Sequence, residues 1–247
     1  MRLSAKHQRR CVPVLGGALA LLLYALPASA SQPKDAHHQH SDHAVATDSL
    51  RYRTLTQADY EAVAREMDIP VAAIRAVVDI EAGARGEGFN PDHTPIINFD
   101  LTMFRQAARR RGINLNKYRG SHPVVFQAPN RRKYGSLQAA QYARLDAAMT
   151  IDTVAALEGT FWGMFQIGGF NWKLCGCDSV REFVHLMSYS EREQLELFAR
   201  FLKSRNLDTY IRNRQWSKFA LCYNGPGYKK MRYDSRMAAA FAKYSKD

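Results

Sequence analysis

The chain has 247 residues and a formal charge of +12, from 35 basic and 23 acidic residues. That length accommodates one folded domain with a leader and a linker, and leaves no room for a separate second module. The positive balance calls for an anionic partner, either nucleic acid or a charged cell surface.

The N-terminus separates those two classes. Met1 to Arg10 carries Arg2, Lys6, Arg9 and Arg10 without an acid, Val12 to Leu26 is apolar, and Ala28-Ser29-Ala30 has small residues at alternate positions. This is the pattern of a secretory signal peptide, with cleavage expected before Ser31. The apolar run is short for a membrane span of roughly 20 residues, and no later stretch approaches that length. Cys11 precedes the apolar run, so it is not placed as a lipidated cysteine. Removal of residues 1–30 takes four positive charges from the formal +12 and leaves +8. A basic exported protein, periplasmic or secreted, suits an anionic envelope polymer, and no nucleic-acid-binding motif or later transmembrane segment is visible.

Residues 31–52 are polar and include His37, His38, His40 and His43. They read as a solvated, disordered linker. Such histidines offer at most a loose metal site, and neither a structural metal nor a cofactor is expected. Residues 53–247 form one domain.

Its pattern is mainly helical. Thr56-Gln57-Ala58-Asp59 is a capping-box start. Asp68-Ile69-Pro70 opens a second helix, with proline tolerated in the first turn. Ile74, Val77, Val78 and Glu81 follow at spacings of three and four, so Glu81 shares the core-facing stripe while Asp79 faces elsewhere. A carboxyl at the apolar end of a helix has its pKa raised by desolvation, as a general acid at neutral pH requires. Turn residues dominate between Gly86 and Pro129, where Ile96 to Phe99 reads as a strand within a small β-hairpin or long loop flanking a cleft. Ser136 to Asp152 is a further helix. Ser190-Glu191-Arg192-Glu193 is a capping box before a helix to about Arg205, and two shorter helices lie near Asp208–Ala220 and Tyr233–Tyr244.

Several motifs are set in a fixed order along this frame. Glu81 is followed by Gly88-Phe89, Pro95-Ile96-Ile97-Asn98-Phe99-Asp100, Trp162-Gly163-Met164-Phe165-Gln166-Ile167, Cys175-Gly176 and Tyr223-Asn224-Gly225-Pro226. Together these resemble the phage-endolysin-type N-acetylmuramidase family of the lysozyme-like superfamily, over about residues 65–245. The resemblance implies a mainly α (α+β, lysozyme-like) fold around a glycan cleft. It also implies cleavage of the β-1,4 bond between N-acetylmuramic acid and N-acetylglucosamine in peptidoglycan strands. By resemblance Glu81 is the general acid, and Asp100 is a second carboxylate that orients water or stabilises charge on the sugar. If Asp100 is the base, the two carboxyls should lie roughly 6.5–9.5 Å apart. Trp162, Phe165, Gln166, Tyr223 and Asn224 are the expected substrate-binding residues. The aromatics would stack on sugar faces, Gln166 would meet an acetamido group or Glu81, and Tyr223 would offer its phenol to Glu81 or the sugar.

Departures from the family pattern fall at Ala82, Thr102, Phe161 and Gly168, where serine, histidine, serine and methionine are usual. They keep open the reading of an impaired peptidoglycan-binding protein, and a lytic transglycosylase stays open because one glutamate suffices for it. A partner in the envelope or in a secretion machine is compatible with either. Of Cys175, Cys177 and Cys222, one of the first two is expected to bridge to Cys222 in an oxidising compartment.

Overall fold

The computed structural model describes residues 50–82 and 87–246. The leader and all but the end of the histidine-rich linker lie outside the described residues. Twelve α-helices occur among those described: α1 (Gln57–Met67), α2 (Val71–Glu81), α3 (Leu101–Arg110), α4 (Pro123–Phe126), α5 (Arg131–Tyr134), α6 (Leu137–Met149), α7 (Thr153–Glu158), α8 (Val180–Met187), α9 (Glu191–Ser204), α10 (Asp208–Arg212), α11 (Trp216–Asn224) and α12 (Tyr233–Tyr244). Three short strands, β1 (Ile97–Phe99), β2 (Thr160–Trp162) and β3 (Ile167–Gly168), form an antiparallel sheet in the order β1-β2-β3.

The expected α1 cap is present: Asp59 Oδ2 accepts from the Thr56 backbone N–H at 2.8 Å and from its hydroxyl at 2.7 Å. Pro70 sits one position earlier than expected, as the residue before the first turn of α2. At α9 the Ser190 hydroxyl accepts from the Glu193 N–H at 3.2 Å. Glu191, the first residue of α9, reaches back across the domain. Its carboxylate accepts from the Leu55 and Gly88 N–H groups at 2.9 and 2.8 Å and is almost fully buried. It ties the start of the domain to the loop that follows the Glu81 helix.

Helix α2 is the axis of the fold. Ile74 and Val77 are fully buried, α1 and α12 pack along it, and α11 supports α12. Phe198 and Phe201 of α9 and Phe219 and Tyr223 of α11 fill the core behind it. Arg75 lies 4.1 Å from the centroid of the Tyr244 ring, a cation–π contact that joins α2 to the end of α12.

Two expectations are corrected. Among the described residues of 87–129 only an isolated antiparallel bridge, Phe89 to Pro95, is local; β1 pairs with the distant β2, with Ile97 opposite Trp162 and Phe99 opposite Thr160. The hairpin is made by β2 and β3. The same region holds α3, whose apolar positions are few and lie among arginines; Asp100 Oδ1 opens it by accepting from the Met103 N–H at 2.9 Å. The second correction concerns the thiols. Cys175 and Cys177 are free and buried, so neither pairs with Cys222. Burial pushes the Cys177 thiol up to about 11 and the Cys175 thiol higher still.

The open side of β1 is closed by a side chain. Gln138 on α6 accepts from the Ile97 N–H and donates to the Ile97 carbonyl, both at 3.0 Å. One turn on, Gln141 Nε2 donates to Asn98 Oδ1 at 2.7 Å, and Arg144 donates to the Phe99 carbonyl at 2.9 Å. A polar stripe of α6 thus takes the place of a fourth strand.

Candidate active site

Glu81 is the last residue of α2. The helix C-terminus carries partial negative charge, which disfavours a carboxylate there. Asn224 ends α11 and donates from Nδ2 to Glu81 Oε1 at 3.1 Å. Arg236, on α12, lies within electrostatic reach of the same carboxyl. Burial dominates over both partners and pushes Glu81 from 4.5 up to about 7, with the Asn224 hydrogen bond and the Arg236 charge pulling the other way. Solvent still reaches part of Glu81. The crowding that desolvates the carboxyl therefore does not seal the residue completely.

The other expected residues separate into two groups. Asn224 contacts Glu81 directly, and Gln166 occupies the β2–β3 turn in a left-handed conformation at φ 48°. Gln166 Nε2 donates to the Gly163 carbonyl at 2.8 Å and approaches that of Ile96 at 3.5 Å. Its Oε1 has no partner among the described residues, and the side chain is half-buried. Asp100 is half-buried as well, with Oδ1 committed to capping α3.

Trp162, Phe165 and Tyr223 belong to the second group, and their expected sugar contacts are corrected. Trp162 and Phe165 are only 3% and 2% exposed, which leaves no ring face for a sugar. Trp162 Nε1 donates to the Leu157 carbonyl at 3.2 Å, and Phe165 stacks on Phe198 at 4.2 Å. Tyr223 is buried too, and its phenol donates to the Phe165 carbonyl at 3.2 Å rather than to Glu81 or a sugar. These residues build the wall behind the site.

Sequence reasoning passed over Gln194, which holds that wall in place. Fully buried on α9, it accepts from the Met164 N–H at 2.9 Å and donates to the Met187 and Gly88 carbonyls at 2.8 and 3.3 Å. A side chain at Gly163, where φ is 70°, would place its Cβ 2.7 Å from Gln194 Oε1, so the turn needs glycine on two counts. The available signal was a polar residue on the core stripe of α9, beside Leu195, Leu197 and Phe198.

Two of the departures prove to be coupled. Phe161 and Gly168 are cross-strand partners. A Cβ at Gly168 would collide with the ring of Phe170, which meets Phe161 edge-on at 6.0 Å. Phe161 is buried. Thr102 lies exposed in the first turn of α3.

A cavity of about 470 Å³ lies apart from Glu81, between the Asn90–Thr94 turn and α6, lined by Asp92, Gln138, Tyr142 and Asp146 among others. Glu81 is absent from its lining. Among the described residues, no cluster of side chains has the composition of a metal site, and no helix is long and apolar enough to cross a membrane.

A helical core, a small antiparallel sheet and a desolvated glutamate at a helix end together place the chain among lysozyme-like glycoside hydrolases. Residues 70–245 match the N-acetylmuramidase family, and the chain belongs to that family. The crystal structure of the Burkholderia AP3 phage endolysin is similar, at 36% identity and a TM-score of 0.69, with 83% of this chain and 76% of that one covered. No curated protein sequence matches the chain. The protein is thus a peptidoglycan hydrolase of lysozyme-like type.

Proposed function

We propose that this hydrolase is exported and cleaves the β-1,4 bond between N-acetylmuramic acid and N-acetylglucosamine, with Glu81 as general acid. The observation that carries the assignment is a glutamate raised to about 7 by burial, held by Asn224 and not wholly closed to solvent. Near neutral pH a large share of such a carboxyl is protonated, as general-acid catalysis needs. Its proton passes to the glycosidic oxygen as the bond from that oxygen to the anomeric carbon breaks. Water then adds to the anomeric carbon and gives up a proton, for which the uncommitted oxygen of Asp100 is our candidate acceptor. The unpartnered Gln166 Oε1 can accept from an acetamido N–H. The signal-peptide pattern of residues 1–30 supports export.

A second reading has its own support. The N-cap duty of Asp100 Oδ1 ties part of the would-be base to the scaffold. Glu81 acting alone, with the substrate's own 6-hydroxyl as nucleophile, would make the enzyme a lytic transglycosylase. Digestion of purified sacculi in ¹⁸O-water, followed by mass spectrometry of the fragments, tests both. Hydrolysis gives reducing muramic acid ends carrying ¹⁸O. Transglycosylation gives anhydro ends without it, and reducing N-acetylglucosamine ends would refute the bond assignment.

A further inference from the structure

Arg236 is an exposed cation on α12, the helix packed along α2. It lies on α12 one turn beyond Tyr233, with its guanidinium carbon 5.7 Å from the centroid of that ring. Both Tyr233 and Glu81 are within its electrostatic reach. Its side chain is exposed, and it forms neither an ion pair nor a side-chain hydrogen bond with any described residue. The acid nearest to it in sequence, Asp234, is engaged elsewhere, accepting from the Ser217 hydroxyl at 2.9 Å and from the Ser235 N–H at 2.9 Å. Lys229, Lys230 and Arg232 are exposed in the segment leading from Asn224 into α12. The chain on the Asn224 side of Glu81 is therefore strongly cationic.

An arginine presents five donors in a planar fork that matches a carboxylate at two points. An aromatic ring under the guanidinium limits its orientations. The glycan strand of peptidoglycan alternates two similar sugars joined by two similar β-1,4 bonds. The sugars differ in the lactyl ether of muramic acid, which ends in a carboxyl or in a peptide with acidic residues. An enzyme that cuts one of the two bonds must read that difference close to its acid.

We propose that Arg236 is a substrate-binding residue that holds a carboxylate borne by the muramyl unit next to the scissile bond, and so sets the register of cleavage. This rests on the muramidase reading above. The carboxylate has two sources, the free lactyl group of a peptide-stripped strand or an acidic residue of the attached peptide.

The test uses the full chain carrying Glu81→Gln, so that ligands are not consumed and Arg236 has no ionised Glu81 to act on. Titration calorimetry compares four tetrasaccharides: the muramyl glycan with free lactyl carboxylates, its methyl ester, the same glycan bearing peptides, and the chitin tetramer. The carboxylate form is expected to bind at least about tenfold tighter than the ester, the scale of one charge-assisted bidentate contact. Adding Arg236→Gln should shrink that preference to within about twofold, leave the chitin tetramer's affinity unchanged, and be partly reversed by Arg236→Lys. A preference shown only by the peptide-bearing glycan, and lost with Arg236→Gln, places the carboxylate in the peptide. A preference that survives Arg236→Gln overturns the proposal, as does equal weakening of muramyl and chitin ligands. Failure of the unmodified protein to digest sacculi would instead defeat the underlying muramidase reading.

Discussion

Replacement of Glu81 by glutamine should raise stability at alkaline pH while removing activity. The folded protein holds the Glu81 proton up to about pH 7, against 4.5 for an ordinary glutamate. Each tenfold change in a proton equilibrium is worth about 1.4 kcal/mol, which sets a ceiling of about 3 kcal/mol on the penalty for ionising Glu81 in the fold. Solvent reaches one edge of the residue, and screening there reduces the expected value to about 2 kcal/mol. The sign follows from linkage: the folded state binds the proton more tightly than the unfolded state. The stabilising contribution is fully present below pH 4.5 and is lost as pH rises to about 7. Glutamine keeps the shape and the acceptor for Asn224 but never ionises. The two proteins should unfold alike below pH 4.5, diverge between there and pH 7, and differ by a constant amount above it, with the variant more stable. Urea midpoints at constant m-value measure the gap, and in thermal melts it should amount to roughly 4–8 °C for a domain of this size. A gap independent of pH, or a variant less stable at pH 8, would refute the desolvation argument. Sacculus digestion by the same variant should fall by about 10²–10⁴-fold, while Asp79→Asn, on the exposed face of α2, should lose little.

Asn224→Ala removes a hydrogen bond that favours the ionised form of Glu81, so the alkaline limb of the pH–activity profile should move upward as maximal activity drops; a downward shift would contradict the geometry. Gln194→Leu strands the Met164 N–H and the Met187 carbonyl away from water, while the Gly88 carbonyl keeps the Ile96 N–H at 3.0 Å. At about 1–3 kcal/mol for each orphaned group, the loss should exceed about 2 kcal/mol by denaturant unfolding, and a value under 1 kcal/mol would show that water or rearrangement replaces the amide. Cys175 and Cys177 should resist alkylation in the folded protein at pH 8 and react only after unfolding, because burial holds both thiols protonated. Rapid labelling of the native protein, read by mass spectrometry, would count against that burial.

The features legible in the sequence were those set by local chemistry. The α1 capping box, the apolar stripe of α2 and the placing of Glu81 at its end follow from spacings of three and four along one helix. Asn224 was found through the resemblance, and its contact with Glu81 needs the packing of α11 against α12 and α2, which no local pattern encodes. The β1–β2 pairing joins segments whose register is fixed by tertiary packing. Aromatics in a Gly-rich segment read equally well as sugar platforms or as core. Burial decides for core at Trp162, Phe165 and Tyr223: the polar atoms of Trp162 and Tyr223 already meet backbone carbonyls, and Phe165 stacks on Phe198. Helix α3 was hidden because its buried face is mostly alanine, with Phe104 its one large residue. Phe161 and Gly168 looked like two separate departures at the cleft, and their register shows them to be cross-strand neighbours.

The amide of Gln138 has a consequence beyond the fold. A bare strand edge is a template on which another chain can add a strand. By occupying both the N–H and the carbonyl of Ile97, Gln138 acts as a one-residue decoy for such an incoming strand. Guarding the edge with a helix side chain makes protection against self-association depend on α6 being docked. During folding, β1 is shielded from its neighbours in a crowded compartment only once α6 has docked beside it.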